Sequence, residues 1–219
     1  MRDNLLLYHT TIAQIRKWLP DERITRVRNL ALFLTGLYLS RKVHLSLIVR
    51  KWPTAGKVPS LVNRLRRFLD NPRVDVRAYY RPVAQSLVDA FRGQPIRLVI
   101  DTTKLGFKAR LMTVSIAYRK RALPLVCSVH RGKKGWVTAE KQIALVRWVA
   151  GFIPAGSEVW VTGDCEFQSV PLISWLKKQG WRYVLRPQGK VRVWQPGQAQ
   201  ISLAEYSLQE GETRYLGWV

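Results

Sequence analysis

The sequence predicts an α/β fold, a mixed sheet with flanking helices set behind an all-α N-terminal region. Three observations carry that expectation. Apolar residues recur at helical spacing up to about residue 94, and short β-rich runs take over after Pro95. Those runs then alternate with helical patterns, the rhythm of a layered α/β sheet. Finally, 47% of the 219 residues are hydrophobic, enough to bury a core rather than leave a disordered chain.

In chain order, Leu5, Ile12, Ile15 and Leu19 share one helix face, and Pro20 closes that segment. A second helix is expected over residues 21–39 with Asp21 as its N-cap, and a shorter one over 43–52. The stretch from Pro53 to Gly56 reads as a turn. Ser60 is placed to cap a helix reaching Leu69, with Leu61, Leu65, Phe68 and Leu69 on the apolar side and Asn63, Arg64, Arg66 and Arg67 on the other. A last helix covers 76–91, and Gly93-Gln94-Pro95 marks a boundary. Residues 96–101 form an almost wholly apolar run, as expected of a strand buried on both faces. Strands over 111–118 and 123–129 follow, joined by a basic turn of Arg119, Lys120 and Arg121. A helix over 138–152 presents Ile143, Val146, Val149 and Ala150, then come a strand over 158–164, a helix over 169–179 stopped by Gly180, and a strand over 183–186. Three hairpin-linked strands followed by helix, strand, helix, strand is the order of an RNase H-like mixed sheet. The expected domains are a helical region at 1–94, a partial RNase H-like core at 95–189, and the start of a β-rich insertion at 190–219, with strand-like pieces at 191–194 and 214–219.

Charge narrows the partner. Lys plus Arg number 37 against 14 Asp plus Glu, a net charge of +23. The excess is spread over both halves, with 18 basic and 6 acidic residues before Pro95 and 19 and 8 from there on. Solubility needs a net charge of only about 2 to 8. A basic excess on folded segments points to a surface that tracks a polyanion, and nucleic acid is the expected one. The longest apolar run, 30–39, is half the roughly 20 residues that cross a bilayer, so no membrane partner is expected. Arg16, Lys17 and Trp18 interrupt any secretory pattern, and Cys127 and Cys165 lack metal-ligand spacing and read as reduced thiols. A cytoplasmic, nucleoid-associated location follows from these readings.

Two acids stand at corresponding places. Asp101 ends one apolar run and Asp164 ends another, the position where open α/β sheets hold their sites. If the two strands are neighbours, both carboxylates face one spot. Such a pair repels itself unless a cation lies between, and Mg²⁺ prefers hard carboxylate and phosphate oxygens. Each acid taken alone reads first as a turn-former or cap, Asp101 before Thr102 and Thr103 in an Asx-turn. The pair on a strongly basic chain points to phosphodiester chemistry.

The motifs around these acids resemble a family. Ile100-Asp101-Thr102-Thr103 is similar to the first-acid motif of the insertion-sequence DDE transposases grouped with insertion sequence 4, and Val161-Thr162-Gly163-Asp164-Cys165-Glu166-Phe167 to their second. Leu123-Pro124-Leu125 and the strand Tyr183-Val184-Leu185-Arg186 also recur in that group, so the likeness spans about residues 23–188. The resemblance implies two Mg²⁺ ions, or Mn²⁺, with Asp101 bridging both and Asp164 holding one. It implies cutting and joining of DNA at transposon ends, target DNA as second partner, and a homodimer in the active assembly. Cys165 departs from the Arg common after the second acid. The family's third acid, a Glu on a helix after the β-rich insertion, is matched by none of Glu140, Glu166, Glu205, Glu210 or Glu212, the expectation being that it falls beyond Val219. Glu140 opens a helix, and Glu166 points away from Asp164 if the strand pattern continues. Little catalysis by this chain alone is therefore expected. A non-catalytic DNA-binding remnant and another RNase H-fold nuclease stay open as alternatives.

Candidate DNA contacts are Arg64, Arg66 and Arg67, beside a turn that resembles a helix-turn-helix, and Arg119, Lys120, Arg121, Lys133, Lys134 and Arg186 in the catalytic part. His130 and Arg131 lie in the same basic cluster, His130 reading as a neutral turn residue. Trp136 is placed to stack on an unpaired base. End sequence and target choice are not legible.

Overall fold

The computed structural model describes residues 2–131, 137–194, 197, 199–205 and 209–212. The chain forms two compact units, Met1–Val83 and Ala84–Val219.

The first unit is helical: α1 (Arg2–Trp18), α2 (Ile24–Ser40), α3 (Leu45–Val49), α4 (Val58–Leu69) and the start of α5 (Val76–Asp89). Leu32, Ile48, Val49, Trp52, Leu61, Leu65 and Phe68 make its main core, and Ile15, Val27 and Ala31 pack a smaller one. Gly36 is required where α2 meets α3, since a Cβ there would lie 2.5 Å from the Ile48 carbonyl oxygen. Two expected caps are corrected. Arg23, not Asp21, precedes α2, and α4 begins two residues ahead of Ser60 because Pro59 suits the first helical turn. Residues 50–57 separate α3 from α4, longer than the three or four residues of a helix-turn-helix.

The second unit has the expected RNase H-like architecture, a mixed five-stranded sheet with flanking helices. The strands are β1 (Ile96–Leu105), β2 (Ala109–Tyr118), β3 (Arg121–Arg131), β4 (Val159–Gly163) and β5 (Arg182–Leu185), in spatial order β3-β2-β1-β4-β5. β1 pairs antiparallel with β2 and parallel with β4, which pairs parallel with β5. Between β3 and β4 lies α6 (Ala139–Ala150), and between β4 and β5 lie a 3-10 turn (Cys165–Phe167) and α7 (Val170–Lys178). β1 alternates in exposure, so only Ile96, Leu98 and Ile100 are fully buried rather than the whole run. With Met112, Val114, Val126 and Val161 they form the core face of the sheet. Packing of α6 on β2 and β3, and of α7 on β5, supplies Leu145, Val149, Leu172 and Leu176. The buried face of α6 is Gln142, Leu145, Val146 and Val149, turned from the face expected, and it carries a polar residue. Beyond β5, β6 (Arg192–Val193) pairs with β7 (Ile201–Ser202). The strand expected at 214–219 lies outside the described residues.

Candidate active site and nucleic-acid interface

Parallel pairing of β1 with β4 runs to Ile100 opposite Gly163. One step further, the register sets Asp101 beside Asp164. Asp164 keeps extended backbone (φ −81°, ψ −171°), so the alternation of β4 carries through it. Val99 pairs with Thr162, which puts Asp101 and Asp164 on the same sheet face, opposite the core. Neighbouring strands lie about 4.8 Å apart, so the two carboxylates flank one spot. Both residues are exposed. Asp101 does not end its strand, because β1 continues to Leu105 as a hairpin with β2. It is the first residue of β1 beyond the parallel pairing with β4, and that is what opens the site.

Each carboxylate has one committed oxygen. The Thr103 hydroxyl donates to Oδ2 of Asp101 at 3.2 Å, and the Glu166 N–H donates to Oδ1 of Asp164 at 2.9 Å. Neither second oxygen has a hydrogen-bond partner among the described residues. Two free, adjacent, exposed hard oxygens can hold a divalent cation.

Local geometry depends on Gly163 and Gln142, two residues with no acid-base chemistry. A Cβ on Gly163 would lie 2.7 Å from Ile100 Cγ2, 3.0 Å from Phe167 Cδ2 and 3.2 Å from Leu185 Cδ2. Only glycine allows the three strand ends and the buried Phe167 ring to close together under Asp164. Gln142 is 3% exposed, and its Nε2 donates to the carbonyls of Val137 and Glu166, both at 3.1 Å. Two carbonyl acceptors fix which end of the amide faces them. Glu166 is thus held on both sides, its carbonyl by Gln142 and its N–H on Asp164. Sequence reading missed Gln142. Its only signal is a polar residue three and four positions before Leu145 and Val146, on the face α6 buries.

The chain turns into a 3-10 helix after Asp164, so strand alternation does not govern Glu166, whose Oε1 is buried with no hydrogen-bond partner among the described residues. Among the described residues no three of His, Cys, Asp and Glu converge as a metal site. Glu140 is exposed, and the Thr138 hydroxyl, then its own N–H, hold its carboxyl below the ordinary value. Glu205 accepts from the Ser202 N–H at 3.0 Å and Glu212 from the Gln209 N–H at 3.0 Å, both as turn-formers.

Of the expected cations, Arg186 lies nearest the acids by register. Leu185 pairs with Gly163, and the N–H of the next residue, exposed Arg186, donates to the Gly163 carbonyl at 3.0 Å, which sets it at the end of β4 that leads into Asp164. Arg119 and Lys120 form the β2–β3 turn, with Arg121 already paired to Tyr118. Arg119 has φ 54°, a left-handed conformation that favours glycine at the first centre of such turns, and its guanidinium lies 5.2 Å from the Tyr118 ring centroid. In the helical unit Arg66 and Arg67 are exposed, while Arg64 is half-buried. The Arg64 Nε donates to Asn29 Oδ1 at 2.9 Å, and its guanidinium sits 5.8 Å from the Trp52 ring centroid. His130 lies in β3, not in a turn, with Nε2 at 2.6 Å from the Ser128 hydroxyl. Lys133, Lys134 and Trp136 lie outside the described residues.

Residues 92–216, more than half of the chain, match the family described as Transposase DDE domain. The chain belongs to the transposase DDE domain family. The match covers both acids and all five strands of the sheet. As a DDE transposase domain it is a DNA-cutting enzyme fold whose substrate is DNA, and divalent metal ions are the cofactors such transposases generally use. No curated protein matches the chain. Among the described residues no helix is long and apolar enough to cross a membrane.

Proposed function

We propose that this chain acts at transposon ends as a member of the insertion sequence 4 group, cutting and joining DNA strands at Asp101 and Asp164. The observation that carries the reading is the register of β1 with β4, two exposed acids side by side on a face the core does not use. The donor set fits hard cations: two carboxylates, each with one oxygen committed to orientation and one free. Bound there, a pair of Mg²⁺ or Mn²⁺ ions supplies activation of the attacking oxygen and stabilisation of the leaving one. Asp101 and Asp164 would hold such ions through their uncommitted oxygens. Arg186, beside Asp164, takes a phosphate of the same strand. Arg66, Arg67, Arg119, Lys120, Arg121, Lys133 and Lys134 hold the DNA backbone, Arg64 doing so from a fixed position. Two copies on two DNA ends form the working assembly, in the cytoplasm at the nucleoid.

Among the described residues no third His, Cys, Asp or Glu joins the pair, which favours slow catalysis by the chain alone. Two measurements test the proposal. Supercoiled DNA should be nicked slowly in Mg²⁺ or Mn²⁺, and Asp101→Ala and Asp164→Ala should each abolish it. Fe²⁺ with peroxide, which needs no turnover, should cleave the backbone near residues 101 and 164. Cleavage scattered elsewhere, or nicking that survives Asp101→Ala, sinks the metal-site reading. Fe²⁺ cleavage at the site with DNA binding but no nicking assigns the non-catalytic remnant. Preference for an RNA–DNA hybrid assigns an RNase H-fold nuclease instead.

A further inference from the structure

The β1–β2 hairpin extends past the acid pair and ends in a tip built from Leu105, Gly106, Phe107 and Lys108. Leu105 pairs with Ala109, leaving residues 106–108 as the turn, and Gly106 has φ +64°. Phe107 is 99% exposed, more than any other large hydrophobic residue among those described, and Leu105 is 49% exposed. A phenyl ring left in water forgoes the stabilisation of burial, so the ring's position calls for a partner. Its neighbours name the partner's chemistry. Lys104 and Lys108 are exposed on either side, and Lys104 Nζ lies 5.9 Å from the ring centroid. Arg110 pairs across the hairpin from Lys104. No acidic residue lies between Asp101 and Glu140 in the chain. A protein surface that buries an aromatic ring would not also need this many cations. An unpaired nucleobase presents a flat π-face with a phosphate attached, and it satisfies both.

We propose that Phe107 stacks on an unpaired base of the bound DNA, with Lys104 and Lys108 on the adjoining phosphates. The inference rests on DNA being held at the Asp101–Asp164 end of the sheet, and it adds a base contact there. β1 rises about 3.4 Å per residue, so Leu105 stands roughly 14 Å from Asp101. One strand of DNA spaces its phosphates by about 3.4 Å along the axis, so the tip reaches about four nucleotides from the acids.

The test uses the whole chain with two DNAs, an intact duplex and the same duplex carrying one unpaired 2-aminopurine. Fluorescence anisotropy gives affinity for each, and 2-aminopurine emission reports stacking. Phe107→Ala should weaken binding to the unpaired-base DNA by about 5- to 150-fold, the range of one base–aromatic stack, and should change duplex affinity little. It should also abolish the quenching of 2-aminopurine seen with the native chain, and Phe107→Tyr should restore both. Lys104→Ala should weaken both DNAs alike, as a phosphate contact does. Equal affinity of Phe107→Ala and the native chain for the unpaired-base DNA overturns the proposal, as does equal loss on both DNAs. If the native chain binds neither DNA, the reading of the site itself fails.

Discussion

Arginine 64 shows how neighbours assign a residue's work. Three arginines on α4 share a sequence context, but Arg64 is held by Asn29 and Trp52 while Arg66 and Arg67 face solvent. Arg64→Ala should cost about 1 to 2 kcal/mol through the lost hydrogen bond and ring contact, measured by urea denaturation. Arg66→Ala and Arg67→Ala should leave stability unmoved and lower DNA affinity. Glu22 makes a second case. Its carboxylate accepts from the Tyr79 hydroxyl, the Arg26 Nε and the Arg23 N–H, each at 2.6 Å. Burial pushes its pKa up, but the hydrogen bonds from Tyr79, Arg26 and Arg23 outweigh burial and hold it below the ordinary carboxylate value. The same burial, with the bond to Glu22, pushes the Tyr79 hydroxyl up to about 12. Glu22 therefore stabilises the fold above its unfolded-state pKa, and that share is lost as pH falls through the lowered folded value. Tyr79 contributes below its ordinary value and loses its share as pH rises through about 12. Tyr79→Phe should lower the melting temperature at pH 7, and Glu22→Gln should flatten the acid limb of the pH–stability curve. An unchanged acid limb would remove Glu22 from the account.

At the level of elements, the end of β4 sets the site. Gly163 lets β1, β4 and β5 close over Phe167, and Gln142 of α6 ties down the turn that orients Asp164. Gly163→Ala should cost about 1 to 3 kcal/mol by overpacking. It should also reduce metal-dependent nicking beyond what lost stability explains, because the strand ends that carry Asp164 must part. Gln142→Met, close in shape but unable to donate, should speed hydrogen exchange at the Glu166 amide while the β1 amides stay protected. Exchange at Glu166 equal to the native chain's would show that the turn holds without α6. The β2–β3 turn is strained as well, since Arg119 adopts a backbone conformation that costs a non-glycine residue about 1 to 3 kcal/mol. Arg119→Gly should therefore stabilise the chain while weakening DNA binding, and stability and affinity measured on the same variant separate the two effects.

For the whole molecule, net charge of +23 dominates encounter with DNA. Each phosphate neutralised releases counterions, and log K falls with log salt at about −0.9 per contact on duplex DNA. With the cations assigned above, the slope should be about −5 or steeper. Asp101→Asn with Asp164→Asn should tighten metal-free binding, since two like charges facing the phosphates are removed. A shallow slope would confine DNA to few contacts and argue against the broad basic surface. Much of this was open to reading in the linear chain. The order of helices and strands, the two acids and the charge excess came from local pattern, since periodicity and capping act within a few residues. The helix starts differ from the capping signals: Arg23 rather than Asp21 precedes α2, and Pro59 suits the first turn of α4 ahead of Ser60. Gln142 and Phe107 stayed hidden because burial and exposure are properties of the neighbours.

The amino-acid order alone determined a basic α/β chain with acids after two apolar runs, because charge, alternation and turn chemistry are written residue by residue. Only the tertiary structure decided that those runs are parallel neighbours in register, that Asp101 lies in mid-strand, and that Arg64 is pinned while Arg186 stands beside Asp164. Strand partners are far apart in sequence, and their register is set by which side chains fill one shared core. No local pattern carries that information.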